Sequence, residues 1–243
     1  MKVALFIPCY IDQFYPQVGI DALLLLEKLG VEVAIPKGAQ CCGQPMANAG
    51  FEAEATGLYA QFVDTYAEFD YIVMPSGSCT LHIQEHYNIL EQNQQVTHVR
   101  HKTFDLMDFL LKHFLEQLPT VSFPHKIALH TGCHSLRGLR FGHASELHGE
   151  AHSNLKALLH NVKDYTITPM NRPDECCGFG GTFAITEEAI SVKMGLDKIR
   201  DISQGEPDFL VSNDMSCLMH LDGILRKKKS PIKVKHIVEI LNS

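Results

Sequence analysis

Short apolar runs alternate with amphipathic stretches along the first half of the chain. Runs of about four to eight apolar residues predict buried strands, and apolar positions that recur every three or four residues predict helices. The predicted strands are residues 3–8, 31–35 and 71–74, and the predicted helices are residues 20–29, 51–69 and one that starts near Cys79. Because strands and helices alternate, this half is expected to form βαβ units around a parallel sheet.

The same pattern returns after an amphipathic segment at residues 104–118. In the second half the predicted strands are residues 126–130, 165–168 and 208–211, and the predicted helices are residues 154–160, 187–202 and 217–226. The segments that close the two halves, residues 107–110 and 238–241, also resemble each other. We therefore predict an α/β fold of two tandem Rossmann-like βαβ domains, residues 1–120 and 121–243, related by internal duplication about a pseudo-twofold axis.

All eight cysteines follow these predicted strands in the same order in each half. One cysteine follows the first strand, an adjacent pair follows the second, and one follows the third. The first set is Cys9, Cys41, Cys42 and Cys79, and the second set is Cys133, Cys176, Cys177 and Cys217. Because the carboxyl ends of parallel strands meet at one edge of the sheet, each set is expected to converge there.

Composition narrows the class of protein. The chain has 243 residues, is 45% hydrophobic and 20% charged, and carries a formal net charge of −7, which is typical of a soluble globular protein and unlike a nucleic-acid-binding one. No segment is apolar for long enough to span a membrane, and the apolar start is too short for a signal peptide. We predict a cytoplasmic protein, and clustered cysteines there more often bind metal than form disulfides.

Four thiolates at one sheet edge suit an iron–sulfur cluster or a structural zinc ion. Zinc ligands usually come in closely spaced pairs such as Cys-x-x-Cys, whereas these ligands are dispersed and two are adjacent, so the spacing favours iron–sulfur. Gly43 and Gly178 follow the paired cysteines and would let the backbone turn sharply. The sequence therefore predicts one cluster in each half, with zinc as the alternative.

The motifs that carry this prediction resemble those of a known family. They are Cys41-Cys42-Gly43-Gln44-Pro45, Pro75-Ser76-Gly77-Ser78-Cys79, Cys176-Cys177-Gly178-Phe179-Gly180-Gly181-Thr182-Phe183 and Ser216-Cys217-Leu218. Repeated Cys-Cys-Gly with a cysteine before and after it is similar to the cysteine-rich (CCG) domain. That domain occurs twice in a component of heterodisulfide reductase and in the iron–sulfur subunits of glycolate oxidase and anaerobic glycerol-3-phosphate dehydrogenase. Within this group the chain looks most like the lactate-utilisation protein A family.

The resemblance implies an iron–sulfur electron-transfer subunit of a flavin-independent complex that oxidises L-lactate to pyruvate. It implies two partners, a ferredoxin-like iron–sulfur subunit and a third small subunit, and [4Fe-4S] clusters as cofactors. The heterodisulfide reductase relatives have five cysteines in each motif, ending in Cys-x-x-Cys, and this chain has four. The additional ligand is expected at Ser76 and Asp214 or at His82 and His220, depending on how Cys79 and Cys217 are matched.

Two other functions stay open at this point. The cysteines could hold zinc in a structural or interaction module, or they could serve a heterodisulfide-reductase-like thiol/disulfide redox subunit. The second is disfavoured because adjacent thiols form only a strained ring on oxidation. His130 and His134 flank Cys133, and a histidine beside a cluster can donate a hydrogen bond to sulfide or raise the reduction potential. No catalytic residue is predicted.

Overall fold

The computed structural model describes residues 1–38 and 41–243, and its strands are all short. They are β1 (Lys2–Leu5), β2 (Glu32–Ala34), β3 (Tyr71–Met74), β4 (Thr103–Asp105), β5 (Val121–Ser122), β6 (Lys126–His130), β7 (Val162–Lys163), β8 (Thr166–Ile167), β9 (Phe209–Ser212) and β10 (Lys233–His236). Eight of them form two four-stranded parallel sheets, with the strand orders β2-β1-β3-β4 and β8-β6-β9-β10. A separate parallel pair joins β5 to β7.

Helices connect these strands and cover the sheets. In the first half they are α1 (Cys9–Phe14), α2 (Pro16–Lys28), α3 (Gln44–Asn48), α4 (Thr56–Tyr66), α5 (Gly77–His86), α6 (Gln94–Lys102) and α7 (Leu106–His113). In the second half they are α8 (Asn154–Leu158), α9 (Phe183–Thr186), α10 (Glu188–Ser203), α11 (Met215–Lys227) and α12 (Ile237–Leu241). A π-helical turn, His134–Gly138, follows Cys133. Among the described residues, no helix combines the length and apolar character that a membrane crossing requires.

The registers of the two sheets confirm the predicted α/β fold and its internal duplication. Val3 pairs with Tyr71 in the first sheet, and Ile127 pairs with Phe209 in the second. Val3 precedes Ile127 by the same number of residues as Cys9 precedes Cys133. Tyr71 likewise precedes Phe209 by the same number of residues as Cys79 precedes Cys217. Each sheet therefore delivers its cysteines from equivalent strand ends.

The fourth strand of each sheet was not predicted. The amphipathic segment expected at residues 104–118 divides into β4 and α7, and β10 lies in a polar stretch just before α12. Both strands are short and lie at an edge of their sheet, and Lys233-Val234-Lys235-His236 carries a single aliphatic residue. Such edge strands form by pairing with a neighbour, so hydrophobic periodicity gives little sign of them.

The helices that carry Cys79 and Cys217 begin two residues earlier than predicted, at Gly77 and Met215. The cysteines therefore lie in the first turn of α5 and of α11 and not at the ends of the preceding strands. A first helical turn has unpaired N–H groups and a positive dipole end.

Of the two buried hydrophobic clusters among the described residues, one spans both halves and the other lies in the first half. Val3 and Leu5 of β1 belong to the same buried cluster as Leu155 of α8 and Val211 of β9. The helix α12 packs on α2, and Asn242 accepts a hydrogen bond from Lys28 Nζ (2.7 Å). The division into domains at residues 120 and 121 remains a prediction, because the apolar core continues across it.

Candidate metal centre

Both cysteine sets line one cavity of about 440 Å³. The predicted convergence at the sheet edges thus brings all eight thiols to one cavity between the halves. Its wall also includes Tyr10, Gln44 and Asn48 from the first half and Phe179 from the second. All eight cysteines are free thiols, and no disulfide closes either set.

Cysteines at equivalent positions in the two sets are buried to the same degree. The first cysteine of each set and the first of the adjacent pair are half-buried, whereas the second of the pair and the last cysteine are buried. The amide of Gly43 donates to Cys41 Sγ (3.3 Å), and the amide of Gly178 donates to Cys176 Sγ (3.4 Å). Both glycines have positive φ, 85° and 90°, so the sharp turn predicted after each pair is present.

Within each set, the thiols shift one another's pKa values. Hydrogen bonding to Cys42 and Cys9 lowers the pKa of Cys41 to about 2, and the pKa of Cys9 is raised mainly by its bond to Cys41 and by burial. Cys133 and Cys177 lower the pKa of Cys176 to about 2 in the same way. In each set, hydrogen bonds from the neighbouring thiols thus favour the thiolate form of one cysteine, and a bound cation would replace the protons of those thiols.

The loop before Cys176 is held by two side chains of α10 that sequence reasoning missed. Lys198 is fully buried, and its Nζ donates to the carbonyl oxygens of Arg172 and Pro173, both at 2.9 Å. Asp201 accepts from the backbone amides of Asn171 (3.0 Å) and Arg172 (2.9 Å). Lys198 lies on the buried face of the predicted helix, so its helical position was the available signal.

Ser76 and Asp214, predicted as additional ligands, occupy equivalent positions as the N-caps of α5 and α11. Ser76 Oγ accepts from the amide of Cys79 (3.3 Å), and Asp214 Oδ1 accepts from the amide of Ser216 (3.0 Å). Tyr10 Oη donates to Ser76 Oγ (2.8 Å) and lies 3.3 Å from Asp214 Oδ1. These bonds use the oxygens that would bind a metal and favour capping over ligation.

Asp214 also joins the two halves. Its second oxygen, Oδ2, accepts from the amide of Ser78 at 2.8 Å, so one carboxylate caps its own helix and the equivalent helix of the other half. The neighbouring Asn213 donates to Ser135 Oγ at 2.9 Å. A Cβ added to Gly77 would lie 1.9 Å from that same hydroxyl, so the halves approach closely here.

The other two predicted ligands, His82 and His220, are also equivalent residues with different surroundings. His82 is buried, and its Nε2 lies 3.0 Å from Tyr59 Oη while its ring stacks on His86. Burial and the charge of His86 lower the pKa of His82 to about 3. His220 Nε2 is buried against Gly195 of α10. Neither belongs to a compact group of metal-ligating atoms among the described residues.

One compact group of metal-ligating atoms is present in the described part of the chain, and its nitrogen comes from a different histidine. A ring nitrogen of His130 and the Sγ atoms of Cys177 and Cys217 all lie within 4.8 Å of one another. His130 is 1% exposed. Burial, together with the charge of Lys198, lowers its pKa to about 3, which leaves the imidazole neutral.

The structure fits a thiolate-bound metal or cluster at both sites. Each set offers four sulfurs, backbone N–H donors to one of them, and helix N-termini at the last cysteine. His134 links the two sites, since its Nδ1 lies 3.8 Å from Cys133 Sγ and its Nε2 lies 3.5 Å from Gln44 Nε2 of the first half. The fold and the two sites define a cysteine-rich α/β protein with paired thiol centres.

Comparison with known proteins shows the family to which this chain belongs. The cysteine-rich domain (CCG) matches residues 3–84 and 127–222. Lactate utilization protein A of Geobacillus thermodenitrificans is 37% identical over 246 residues, covering 100% of this chain and 99% of the relative. The protein of the same name from Bacillus licheniformis is 35% identical over 247 residues, covering 100% of both. The chain belongs to the cysteine-rich domain family that includes lactate utilization protein A, as its motifs predicted.

Proposed function

We propose that this chain is an iron–sulfur electron-transfer subunit that holds one cluster, a [4Fe-4S] cluster, in each half and acts in the oxidation of L-lactate to pyruvate. The observation that carries the proposal is the single cavity lined by both complete cysteine sets. Thiolate-bound clusters accept and release single electrons, at a potential set by hydrogen bonds to sulfur and by exposure.

The residues that would hold the clusters are the two cysteine sets. Cys9, Cys41, Cys42 and Cys79 serve the first site, and Cys133, Cys176, Cys177 and Cys217 serve the second. All eight cysteines line the cavity, and the half-buried ones of each set are the more exposed, so a substrate or a redox partner would approach them first. The amides of Gly43 and Gly178 supply the hydrogen bonds that tune the sulfurs.

The proposed role in lactate utilisation is supported by the names of the relatives that match the full chain, which are lactate utilization proteins A. The proposed partners are a ferredoxin-like iron–sulfur subunit and a third small subunit, and the proposed compartment is the cytoplasm. The net charge of −7 gives no support for a nucleic-acid partner. Turnover is therefore expected with the partner subunits present.

Anaerobic purification with metal and spectroscopic analysis tests the proposal. The native protein is expected to be brown, to contain iron and acid-labile sulfide, and to give an EPR signal on reduction. Cys41→Ser and Cys176→Ser each alter one site, so each is expected to lose about half of the iron, and each serves as the control for the other. A colourless protein that binds zinc alone would rule out the proposal.

A zinc-stabilised interaction module is the second candidate function. The group formed by His130, Cys177 and Cys217 favours it, because mixed nitrogen and sulfur ligands are common at zinc sites. This candidate predicts that chelation of the metal unfolds the protein and that no EPR-active reduced state exists. Lactate-dependent reduction in the presence of the partner subunits would exclude it.

A further inference from the structure

His130 is a buried polar side chain that has no hydrogen-bond partner in the described part of the chain. It lies at the carboxyl end of β6, opposite Ser212 of β9, and is 1% exposed. Among residues 1–38 and 41–243, neither of its ring nitrogens makes a hydrogen bond. Because leaving a buried polar group unpaired is energetically costly, such a residue points to a partner from outside the polypeptide.

The surroundings of the imidazole indicate what that partner is. A ring nitrogen lies within 4.8 Å of Cys177 Sγ and Cys217 Sγ, yet His130 is hydrogen-bonded to neither thiol. Metal–sulfur bonds of about 2.3 Å and metal–nitrogen bonds of about 2.0–2.1 Å let one ion contact three atoms at such separations. The three atoms are thus close enough to share a metal ion.

The duplication shows that this nitrogen belongs to the second site alone. Leu5 pairs with Val73 and Leu129 pairs with Val211, so the next residues, Phe6 and His130, are equivalent. The ring of Phe6 is buried in an aromatic cluster, 5.2 Å from the ring of Phe62. An aromatic hydrocarbon therefore occupies in the first half the position that an imidazole occupies in the second.

We propose that His130 is a nitrogen ligand of the second site, beside its four cysteines, and that the first site is ligated by thiolates without an equivalent histidine. This inference rests on the proposed function in that both sites bind metal. At a given ligand position, neutral imidazole gives an iron–sulfur centre a higher potential than thiolate does. The two sites therefore differ in their ligands and are expected to differ in potential.

Pulsed EPR on protein labelled with ¹⁵N-histidine tests the ligation directly. The anaerobic, reduced wild-type protein is expected to show a strongly coupled nitrogen. His130→Phe, which installs the residue found in the first half, is expected to abolish this coupling. His220→Phe is the matched control, because His220 Nε2 is also buried without a hydrogen bond among the described residues, and this variant should retain the coupling. A wild-type protein without strong nitrogen coupling, or a His130→Phe variant that keeps it, would overturn the inference.

A second variant provides a test in case His130→Phe loses its metal. His130→Cys supplies sulfur in place of nitrogen, so it is expected to keep the wild-type iron content and to lower the midpoint potential of the second site. An unchanged potential with full iron content would count against His130 as a ligand.

The inference can be tested even if the protein holds no iron–sulfur cluster. The apoprotein is then loaded with Zn²⁺ alone and studied by X-ray absorption. The expected result is a nitrogen ligand in the wild-type protein that disappears in His130→Phe. An all-sulfur shell in the wild-type protein would refute the inference, whereas absence of iron and sulfide would refute only the proposed function.

Discussion

At the scale of single residues, Asp214 shows how position decides the role of a carboxylate. The sequence places it beside Cys217, where a metal ligand is expected. In the structure Oδ1 accepts from Ser216 and Oδ2 accepts from the amide of Ser78 in the other half. The side chain is 2% exposed, so these bonds lie away from solvent and are expected to contribute to stability.

Asp214→Asn tests this role. The side-chain NH₂ group of the new asparagine would face the backbone N–H of either Ser78 or Ser216. Two hydrogen-bond donors would then face each other in the protein interior. We expect the free energy of unfolding to fall by about 2–3 kcal/mol, measured by urea denaturation of the apoprotein. The control is Asp64→Asn on the exposed face of α4, expected to change it by less than about 0.5 kcal/mol. An unchanged stability combined with loss of bound metal would instead make Asp214 a ligand.

At the scale of secondary-structure elements, the closing helices α7 and α12 are capped by equivalent but different residues. Asp105 Oδ1 accepts from the amide of Met107 (2.9 Å), and His236 Nδ1 accepts from the amide of Val238 (3.2 Å). His236 Nε2–H donates to the carbonyl oxygen of Asn213 (2.9 Å), which identifies the neutral tautomer. Protonation of Nδ1 would therefore remove the cap of α12.

Because this cap requires neutral His236, we expect the free energy of unfolding to depend on pH. Burial lowers the pKa of His236 to about 4, so between about pH 6.5 and 4 the unfolded state binds a proton that the folded state does not. The contribution of neutral His236 to the free energy of unfolding is complete above about pH 6.5 and is lost as the pH falls toward 4. At pH 5 we expect His236 to account for a loss of about 2 kcal/mol relative to pH 7.5, in addition to the losses from buried His82 and His130, and His236→Asn removes the share of His236.

Urea denaturation at the two pH values measures this effect in the wild-type protein and the variant. His101→Asn, at an exposed position on α6, is the control and should leave the pH dependence as it is in the wild-type protein. If His236→Asn retains the full pH dependence, the imidazole of His236 is not its source.

At the scale of the whole molecule, the shared core joins the two halves into one structural unit. The buried cluster extends from β1 and α2 through α7 to α8 and the second sheet. The polar junction of Tyr10, Ser76, Ser78, Asp214 and Asn213 lies between the helices that carry the last cysteines. The geometry of the cavity thus depends on both halves being folded.

A single cooperative unfolding transition is expected from this core. Leu155→Ala in α8, fully buried at the junction with α7, should lower the free energy of unfolding by about 3 kcal/mol and shift the whole transition. Coincident far- and near-ultraviolet circular dichroism curves in urea would demonstrate this. Val192→Ala, at an exposed position of α10, is the control. A curve that splits into two transitions would show that the halves unfold independently.

The sequence by itself was sufficient to predict the parallel α/β fold, the duplication and the two cysteine sets. Apolar runs identify buried strands, and repeated spacing identifies equivalent strand ends, so Cys9 and Cys133 could be matched without coordinates. The register of β1 with β3 and of β6 with β9 confirms that match. These features depend on local pattern, which a sequence contains in full.

Only the tertiary structure decided what surrounds the thiols. It brought the two sets into one cavity, engaged Asp214 across the halves, buried Lys198 under the second Cys-Cys-Gly loop and placed His130 beside Cys177 and Cys217. These contacts join residues distant in sequence, and burial and hydrogen bonding depend on what packs against each side chain. Hydrophobic periodicity gives the face on which a residue lies, but the partner on that face is set by the packing of the whole chain.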